Sequence, residues 1–362
     1  MIIDRYLIAE IVQTLAAVLF VLLLIFMGRY FAIFLADAAA GEITGAVVLD
    51  LLLLRTMSAM SLMLPFSLYI AILLAFGRLY KDNEMTALAA SGVTAPRILR
   101  TVFLLGLVFA MLVSVFSLWL SPWAERQRAT IATQAEQSSM MQNVLPGQFN
   151  ELGKRKDAVF YVEEVSDDNK KLSNIFAQIK SKDTMDVFSA HRGYQYRDEV
   201  TGDTYLVLID GFRYQGIPGR QDFLIQEYEK NAIRIVEPSF AQKRSKYSTM
   251  KTSELLDRSN PRGQAELQWR ISMPITTLFL AILGMLISRT SPRQGRFAKL
   301  FLAILIYIIY SNAVSIGRTW VSQGKVPIDI GVWWVHLLLF LFIAVLLYNQ
   351  VTGRRFRVKS SA

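Results

Sequence analysis

Apolar residues gather in six long runs along the chain, near 11–36, 46–77, 98–122, 270–288, 298–317 and 332–350. Each run approaches or exceeds the roughly 20 residues that a helix needs to cross a hydrocarbon layer about 30 Å thick. Between 123 and 268 the pattern changes. "DAVFYVEEV" (157–165), "NIFAQIK" (174–180), "MDVFSAHRGYQYR" (185–197), "DTYLVLIDGFRY" (203–214) and "DFLIQEYEKNAIRI" (222–235) read as strands, parted by turn-rich pieces such as "SDDNKK" and "GIPGRQD". The pattern therefore predicts a membrane α-helical protein of six spans, three before and three after an inserted all-β domain. Residues 1–122 hold spans 1–3 with a short helix at 82–92, residues 123–268 the β domain, and residues 269–362 spans 4–6 and a tail.

In the strand at 203–214, Tyr205, Val207 and Ile209 fall on one face and Leu206, Leu208 and Phe212 on the other. Apolar groups on both faces suit a sheet folded over itself, a sandwich or jelly roll. Such residues either fill a core or line a groove for acyl chains.

Charge then orients the chain. Thirteen Lys and Arg residues lie at Arg5 and in the segments 78–100, 289–299 and 354–359, whereas the opposing short loops hold only Arg318 and Lys325. By the rule that basic loops stay inside, both termini are cytoplasmic and the β domain lies outside. The rival reading of the first run is a secretory signal with a cleavage site near Ala36-Asp37-Ala38, but the run is long for a signal core and contains Arg29. The 362 residues include no cysteine, which excludes disulfides and thiolate chemistry, and the two histidines, His191 and His336, fall in different regions.

"GQFNELGKR" (147–155) has the outline of a phosphate loop, yet five residues separate its glycines and Arg155 follows the lysine where Ser or Thr is required. The chain therefore carries no ATPase of its own and is not expected to be an enzyme. Charges inside the spans say more, because one near the bilayer centre costs at least ~2.5–3.5 kcal/mol. Arg29, Arg55 and Arg318 all fall in the outer half, with Phe26, Tyr30 and Phe31 beside the first. Arg55 lies about 14 Å inward from the start of span 2 by helical rise, and Asp50, five positions away, is a poor helical partner for it. Arginines above an apolar wall suit an amphiphile with acyl chains and phosphates. For Arg29 and Arg318, snorkelling to the interface is the competing account. Asp50 is the only acid this reading places well inside a span, so proton-coupled transport has little support.

The passage "YKDNEMTALAASGV" (80–93) reads as a two- or three-turn helix between spans 2 and 3. Asp82 or Asn83 is expected to cap its start, Gly92 to end it and Pro96 to prevent its continuation. Met85, Leu88 and Ala89 form an apolar edge, while Glu84 and Thr86 remain available to a partner. Either the helix rests on lipid headgroups or it docks a separate ATPase; its acidic start opposes the first.

"MIIDRYL", "LPFSL", "GRLYKDNEMTALAASG", "GQF", "ELQWRISMP" and "SPRQGR" together resemble the lipopolysaccharide-export permeases, the LptF/LptG family, over essentially the whole chain. The start and the "PRQGR" loop are more similar to the LptF branch, with Ser291 where asparagine is expected. The resemblance implies a periplasmic β-jellyroll between spans 3 and 4 and a cavity that takes lipopolysaccharide from the outer leaflet of the inner membrane. It implies as partners a permease paralogue (LptG-like), a dimeric cytoplasmic ATPase (LptB-like), a single-span jellyroll protein (LptC-like) and a periplasmic bridge (LptA-like). No cofactor and no nucleic-acid partner is expected. Carried over by residue, Asp82, Glu84, Met85 and Leu88 belong to the ATPase-coupling helix, Arg318 matches a basic position at the outer end of span 5, and Arg29 falls where basic residues are expected on span 1. Arg55, Phe26 and Tyr30 complete the proposed lipid-binding set on physical grounds alone. The competing functions are a non-transporting scaffold, against which the charged outer half and the coupling-type helix argue, and an ion-coupled flippase, against which the scarcity of buried acids argues.

Overall fold

A computed structural model describes residues 2–39, 43–142, 147–152, 158–166, 171–180, 185–197, 204–217, 223–235, 246–289 and 296–351. Most of "SPRQGR" and the basic tail from 354 lie outside the described residues. The chain divides into a helical unit (Met1–Leu35, Val48–Ala129, Ser245–Ala362) and a second unit (Ala36–Val47, Thr130–Arg244).

Six helical stretches are long and apolar enough to cross a membrane: Ile2–Ala39, Gly45–Lys81, Ala95–Ile131, Pro261–Ser288, Lys299–Ser322 and Trp333–Gln350. The elements behind them are α1 (Ile2–Ala39), α2 (Val48–Lys81), the short α3 (Glu84–Ala90), α4 (Ala95–Val115), α5 (Ser121–Gln142), the single turn α6 (Lys246–Thr249), α7 (Pro261–Ser288), α8 (Arg296–Ser322) and α9 (Trp333–Val351). A membrane helical protein with an inserted β domain, as the hydropathy pattern predicts, is what the chain forms.

Helix α7 is the centre of the helical unit and packs on α2, α4, α8 and α9. In lipid, apolar surface gains nothing by leaving its surroundings, so close contact through small residues takes over. Thr277, Ala281, Gly284 and Ser288 are all buried on α7. A Cβ on Gly284 would stand 3.1 Å from the Tyr69 ring and from its carbonyl, and one on Gly106 would stand 3.1 Å from Ala281. The α2 and α4 backbones approach α7 through these gaps. A buried polar node joins α7, α8 and α9 as well: His336 meets the Tyr310 hydroxyl at 2.7 Å and the Ser272 hydroxyl at 2.8 Å.

Helix α4 does not stop where hydropathy falls. It passes through a π-helical turn, Phe116–Leu120, directly into α5. In that turn the Leu118 carbonyl accepts from the Thr252 hydroxyl, and beside it the Ser117 side chain donates to the Arg270 carbonyl at 2.8 Å.

In the second unit, β1 (Phe149–Leu152), β2 (Ala158–Val165), β3 (Lys171–Lys180), β4 (Met185–Arg197), β5 (Thr204–Gly216) and β6 (Phe223–Ile235) form one sheet in sequence order, each strand antiparallel to the next. Among the described strands this is a meander. Its core is Val162, Ile175, Ala177, Phe188, Ala190, Leu206 and Leu208. Simple alternation along each strand does not hold, because Asn174 and Asp210 take left-handed backbone angles (φ 47 and 54). The flanking pairs place both on one cross-strand row through His191. Across that row the inward set changes parity, so Leu172 and Ile175 both pack into the core, while Phe212 is exposed although it shares parity with Leu206 and Leu208. Asn and Asp are the non-glycine residues that tolerate this conformation best; here both side chains also bond across to the neighbouring strand, the Asn174 amide donating to Glu163 at 2.6 Å and Arg192 donating to Asp210 at 2.8 Å.

Gly211 follows the bend, and a Cβ there would run into the Ser189 carbonyl and stand 2.7 Å from the Tyr228 hydroxyl. That hydroxyl donates to the same carbonyl at 3.2 Å, and burial pushes the phenol's pKa up. Gly211→Ala is therefore expected to cost about 1–3 kcal/mol. Hydrogen exchange should quicken in β4 and β5 and stay unchanged in α2 and α7.

Candidate functional site

The charged residues of the helical unit collect at its two ends. At the end from which the chain leaves for the β unit, α7 begins two turns earlier than its apolar run. Pro261 occupies the first turn, and the Asn260 side chain caps it by accepting from the Arg262 and Gly263 amides at 3.1 and 3.4 Å. Just before this cap, Asp257 accepts from the Ser259 amide and hydroxyl at 2.9 and 2.8 Å, which holds its carboxyl below the usual carboxylate range. The added turns carry Glu266 one turn before Arg270.

Arg270 donates to Glu266 at 3.0 Å, to the carbonyls of Tyr247, Ser248 and Met250 at 3.0–3.2 Å, and to the Thr252 hydroxyl at 2.9 Å. Every face of this buried guanidinium is thus occupied. The other Glu266 oxygen accepts from Arg318 of α8, whose guanidinium also lies 4.8 Å over the Trp269 ring. A second set repeats the pattern on other helices. Glu125 and Arg128 of α5 pair at 3.0 Å, and Arg55 of α2 reaches Glu125 at 3.5 Å. Arg55 donates to the Tyr30 hydroxyl at 2.9 Å and lies 4.7 Å over that ring. Phe26 packs on Tyr30 with ring centres 4.5 Å apart, and the exposed Arg29 lies 5.8 Å from the same ring.

In both sets, therefore, two arginines share one glutamate, and Arg126 brings further positive charge near Arg270. The inner arginine is buried in each, at 3% exposure for Arg270 and 8% for Arg128. The outer one is half-buried, at 32% for Arg318 and 28% for Arg55. Taking a carboxylate out of water costs several kcal/mol unless a cation and hydrogen bonds replace the solvent, and the inner arginine does this. The outer guanidinium is then held in place with part of its surface open, a geometry that suits an anionic group such as a phosphate.

The arginines expected in the outer half are thus placed in two groups: Arg29 and Arg55 flank Tyr30, and Arg318 belongs to the other triad. The expectation that Asp50 is the only acid within a span is corrected. Asp50 is exposed, whereas Glu125 and Glu266 are buried in α5 and α7. Hydropathy hid them because "AERQR" and "ELQWR" read as the ends of spans. The available signal was their spacing, Glu-x-x-Arg and Glu-x-x-x-Arg, which makes helical ion pairs if the helix continues.

At the other end, α3 packs beside the first turns of α1. The expected side-chain cap is absent: Asn83 adopts a left-handed conformation (φ 60) and makes no side-chain capping bond, so the helix start rests on its carbonyl, which accepts from the Thr86 and Ala87 amides. The C-terminal exit is as expected. Gly92 (φ 89) allows the Val93 amide to reach the Leu88 carbonyl and its own amide to reach that of Ala89. Met85 is buried and Leu88 packs against the helical core, so these two hold α3 in place instead of facing outward, whereas Asp82 and Thr86 are exposed. Glu84 accepts from the Tyr6 hydroxyl of α1. Around it, Asp4 pairs with Arg97 at 2.8 Å and Glu10 with Arg78 at 2.7 Å.

The family of lipopolysaccharide export system permeases LptF/LptG matches residues 5–349. The chain is 29% identical over 367 residues to the lipopolysaccharide export system permease protein LptF of Escherichia coli strain K12, covering 100% of this chain and 99% of the relative. The proteins of the same name from Escherichia coli O157:H7 and Shigella flexneri match with the same identity and coverage.

The triads imply unequal costs of truncation. Glu266→Ala leaves Arg270 buried without its carboxylate and is expected to cost about 3–5 kcal/mol, with Glu266→Gln, which retains an acceptor, costing less. Arg318→Gln leaves Glu266 paired to Arg270 and should cost about 1 kcal/mol or less. Thermal unfolding in mild detergent measures this order.

Proposed function

Because the chain belongs to the lipopolysaccharide export permease LptF/LptG family, we propose that it is an inner-membrane permease subunit that extracts lipopolysaccharide from the outer leaflet, driven by ATP hydrolysis in a partner. In this reading both termini and α3 are cytoplasmic and the β unit is periplasmic. The partners are a homologous LptG-like permease, a dimeric LptB-like ATPase, and LptC-like and LptA-like β proteins that receive the lipid from the meander sheet. The ATPase's cycle alternately favours lipid-bound and lipid-free states, and transport follows from their different affinities for the lipid.

The observation that carries this reading is the pair of half-buried arginines, Arg318 and Arg55, each supported by a buried carboxylate at the end of the helical unit opposite α3. An anionic headgroup engages the guanidinium groups while acyl chains lie along apolar helix surface. Helix α1 offers such surface, since Phe20, Val21, Leu24 and Ile25 are exposed. At the other end, α3 is anchored through Met85 and Leu88 and presents Asp82 and Glu84 at its start.

Arg55→Ala or Arg318→Ala should lower lipopolysaccharide retention by about ten- to a hundredfold, the scale of one charge-assisted bond, with the ATPase still co-purifying. Unchanged retention in both variants would sink the headgroup assignment. Glu84→Lys should weaken ATPase assembly or uncouple ATP-driven release, because it turns an attraction into a repulsion in a partly buried interface. Tyr6→Phe, which removes the hydroxyl's internal bonds to Glu84 and Arg78 and leaves the Glu84 charge in place, should leave assembly intact. A helix resting on anionic headgroups would instead gain about 1 kcal/mol of attachment from Glu84→Lys, with normal assembly and release.

A further inference from the structure

Each outer arginine holds a carboxylate where an anionic ligand would bind, and that carboxylate does not depend on it. Glu266 keeps Arg270 at 3.0 Å and Glu125 keeps Arg128 at 3.0 Å whichever way Arg318 and Arg55 turn. The inner Arg270 is saturated with acceptors. Arg55 is not: its Nε is buried without a hydrogen-bond partner among the described residues, and its contact with Glu125 is long at 3.5 Å. Arg318 pairs closely with Glu266, at 2.5 Å, but shares that carboxylate with Arg270, whose remaining donors are all engaged elsewhere, and it keeps 32% of its own side chain exposed.

We propose that Glu266 and Glu125 are positioning residues that park Arg318 and Arg55 between transport cycles, each giving up its arginine to a phosphate group on a lipid headgroup and taking it back when the lipid leaves. This rests on the permease reading above. Carboxylate and phosphate both offer a guanidinium two oxygens in a matching fork, so the exchange needs only a small rotation of the arginine. Charge is compensated on both sides of it. Before exchange the triad is a neutral Glu–Arg pair with one cation at its edge; afterwards the neutral pair remains and the cation is matched by phosphate. No buried charge is left alone at either stage, which keeps the barrier low. The carboxylate lowers affinity for the phosphate by competing with it. A site that must release its cargo benefits from such competition, because an uncontested arginine would hold the lipid through the cycle.

The test uses the permease complex with its ATPase in nanodiscs. Wild type, Glu266→Gln, Glu125→Gln, Arg318→Gln and the double variant Glu266→Gln/Arg318→Gln are compared for binding of lipopolysaccharide, of lipopolysaccharide stripped of its lipid A phosphates, and for ATP-driven release. Each Glu→Gln variant should bind the phosphorylated lipid roughly three- to tenfold more tightly and release it more slowly per ATP hydrolysed, with no change towards the stripped lipid. Adding Arg318→Gln should abolish the gain of Glu266→Gln. A merely structural carboxylate predicts the opposite sign, so unchanged or weaker binding in well-folded Glu→Gln variants would overturn the proposal while leaving the permease reading intact. Failure of the wild-type complex to bind lipopolysaccharide would overturn that reading itself. Displacement by millimolar inorganic phosphate alone would assign the exchange to free phosphate and overturn the headgroup source. Should Glu266→Gln fail to accumulate, Glu125→Gln against Glu125→Gln/Arg55→Gln carries the same comparison.

Discussion

A carboxylate removed from water must find positive charge at contact distance, and at one end of this protein that requirement arranges everything around it. Glu266 needs Arg270, Arg270 has donors to spare, and these collect the carbonyls of residues 247, 248 and 250 together with the Thr252 hydroxyl. The segment that re-enters the helical unit is thereby fastened to α7, and Thr252 in turn fastens it to the π turn between α4 and α5. The second triad does the same for α2 and α5 with different residues. Because lipid supplies no hydrophobic force between helices, these charge clusters and the close contacts at Gly284 and Gly106 carry much of the organisation that an apolar core would provide in water.

The six spans and the inserted strands were legible because both rest on periodicity, which burial in lipid or in a sheet core enforces along the sequence. What was not legible depended on groups that meet only after folding. Hydropathy alone placed the edges of spans 3 and 4 at 122 and 270, but α5 and α7 cross those edges because Glu125 and Glu266 find arginines there. The site was read in half: Arg29, Arg55, Arg318, Phe26 and Tyr30 were visible as charge and aromatics in apolar runs, whereas the carboxylates beneath two of those arginines looked like ordinary polar flanks. In α3 the glycine exit was readable because a positive φ selects glycine. The start was not, since Asn83, whose side-chain oxygen makes it a good cap in extended conformation, takes a left-handed one instead and leaves that bond unmade. In the sheet, the apolar residues on both faces of β5 owed part of their pattern to a change of parity at Asp210.

Helix α1 runs between the two ends, with Val18 and Leu19 packed on the core along the way. Near its start it is held by Leu7, Ile11 and Leu15 in the core and by pairs to Arg78 and Arg97. Much of its middle presents apolar side chains outward, and further along Tyr30 accepts from Arg55. A long helix is a stiff rod, so a rotation at its near end displaces the far end most. The residue at the near end that meets α3 is Tyr6, bonded to Glu84.

The π turn at Phe116–Leu120 sets rotational phase. Such a turn accommodates one residue more than regular helix would, and one residue corresponds to about 100° around a helix axis. Glu125, which meets Arg55 of α2, and Arg128, which pairs with Glu125, owe their direction to that residue. Loss of any single residue in this turn would keep the span, its length and its hydropathy, yet swing the carboxylate about a quarter of a circle away from Arg55. The spacing between Ser114 and Ser121 is therefore under a constraint of count as well as of chemistry: in this stretch most side chains tolerate exchange for another apolar one, but insertions and deletions do not.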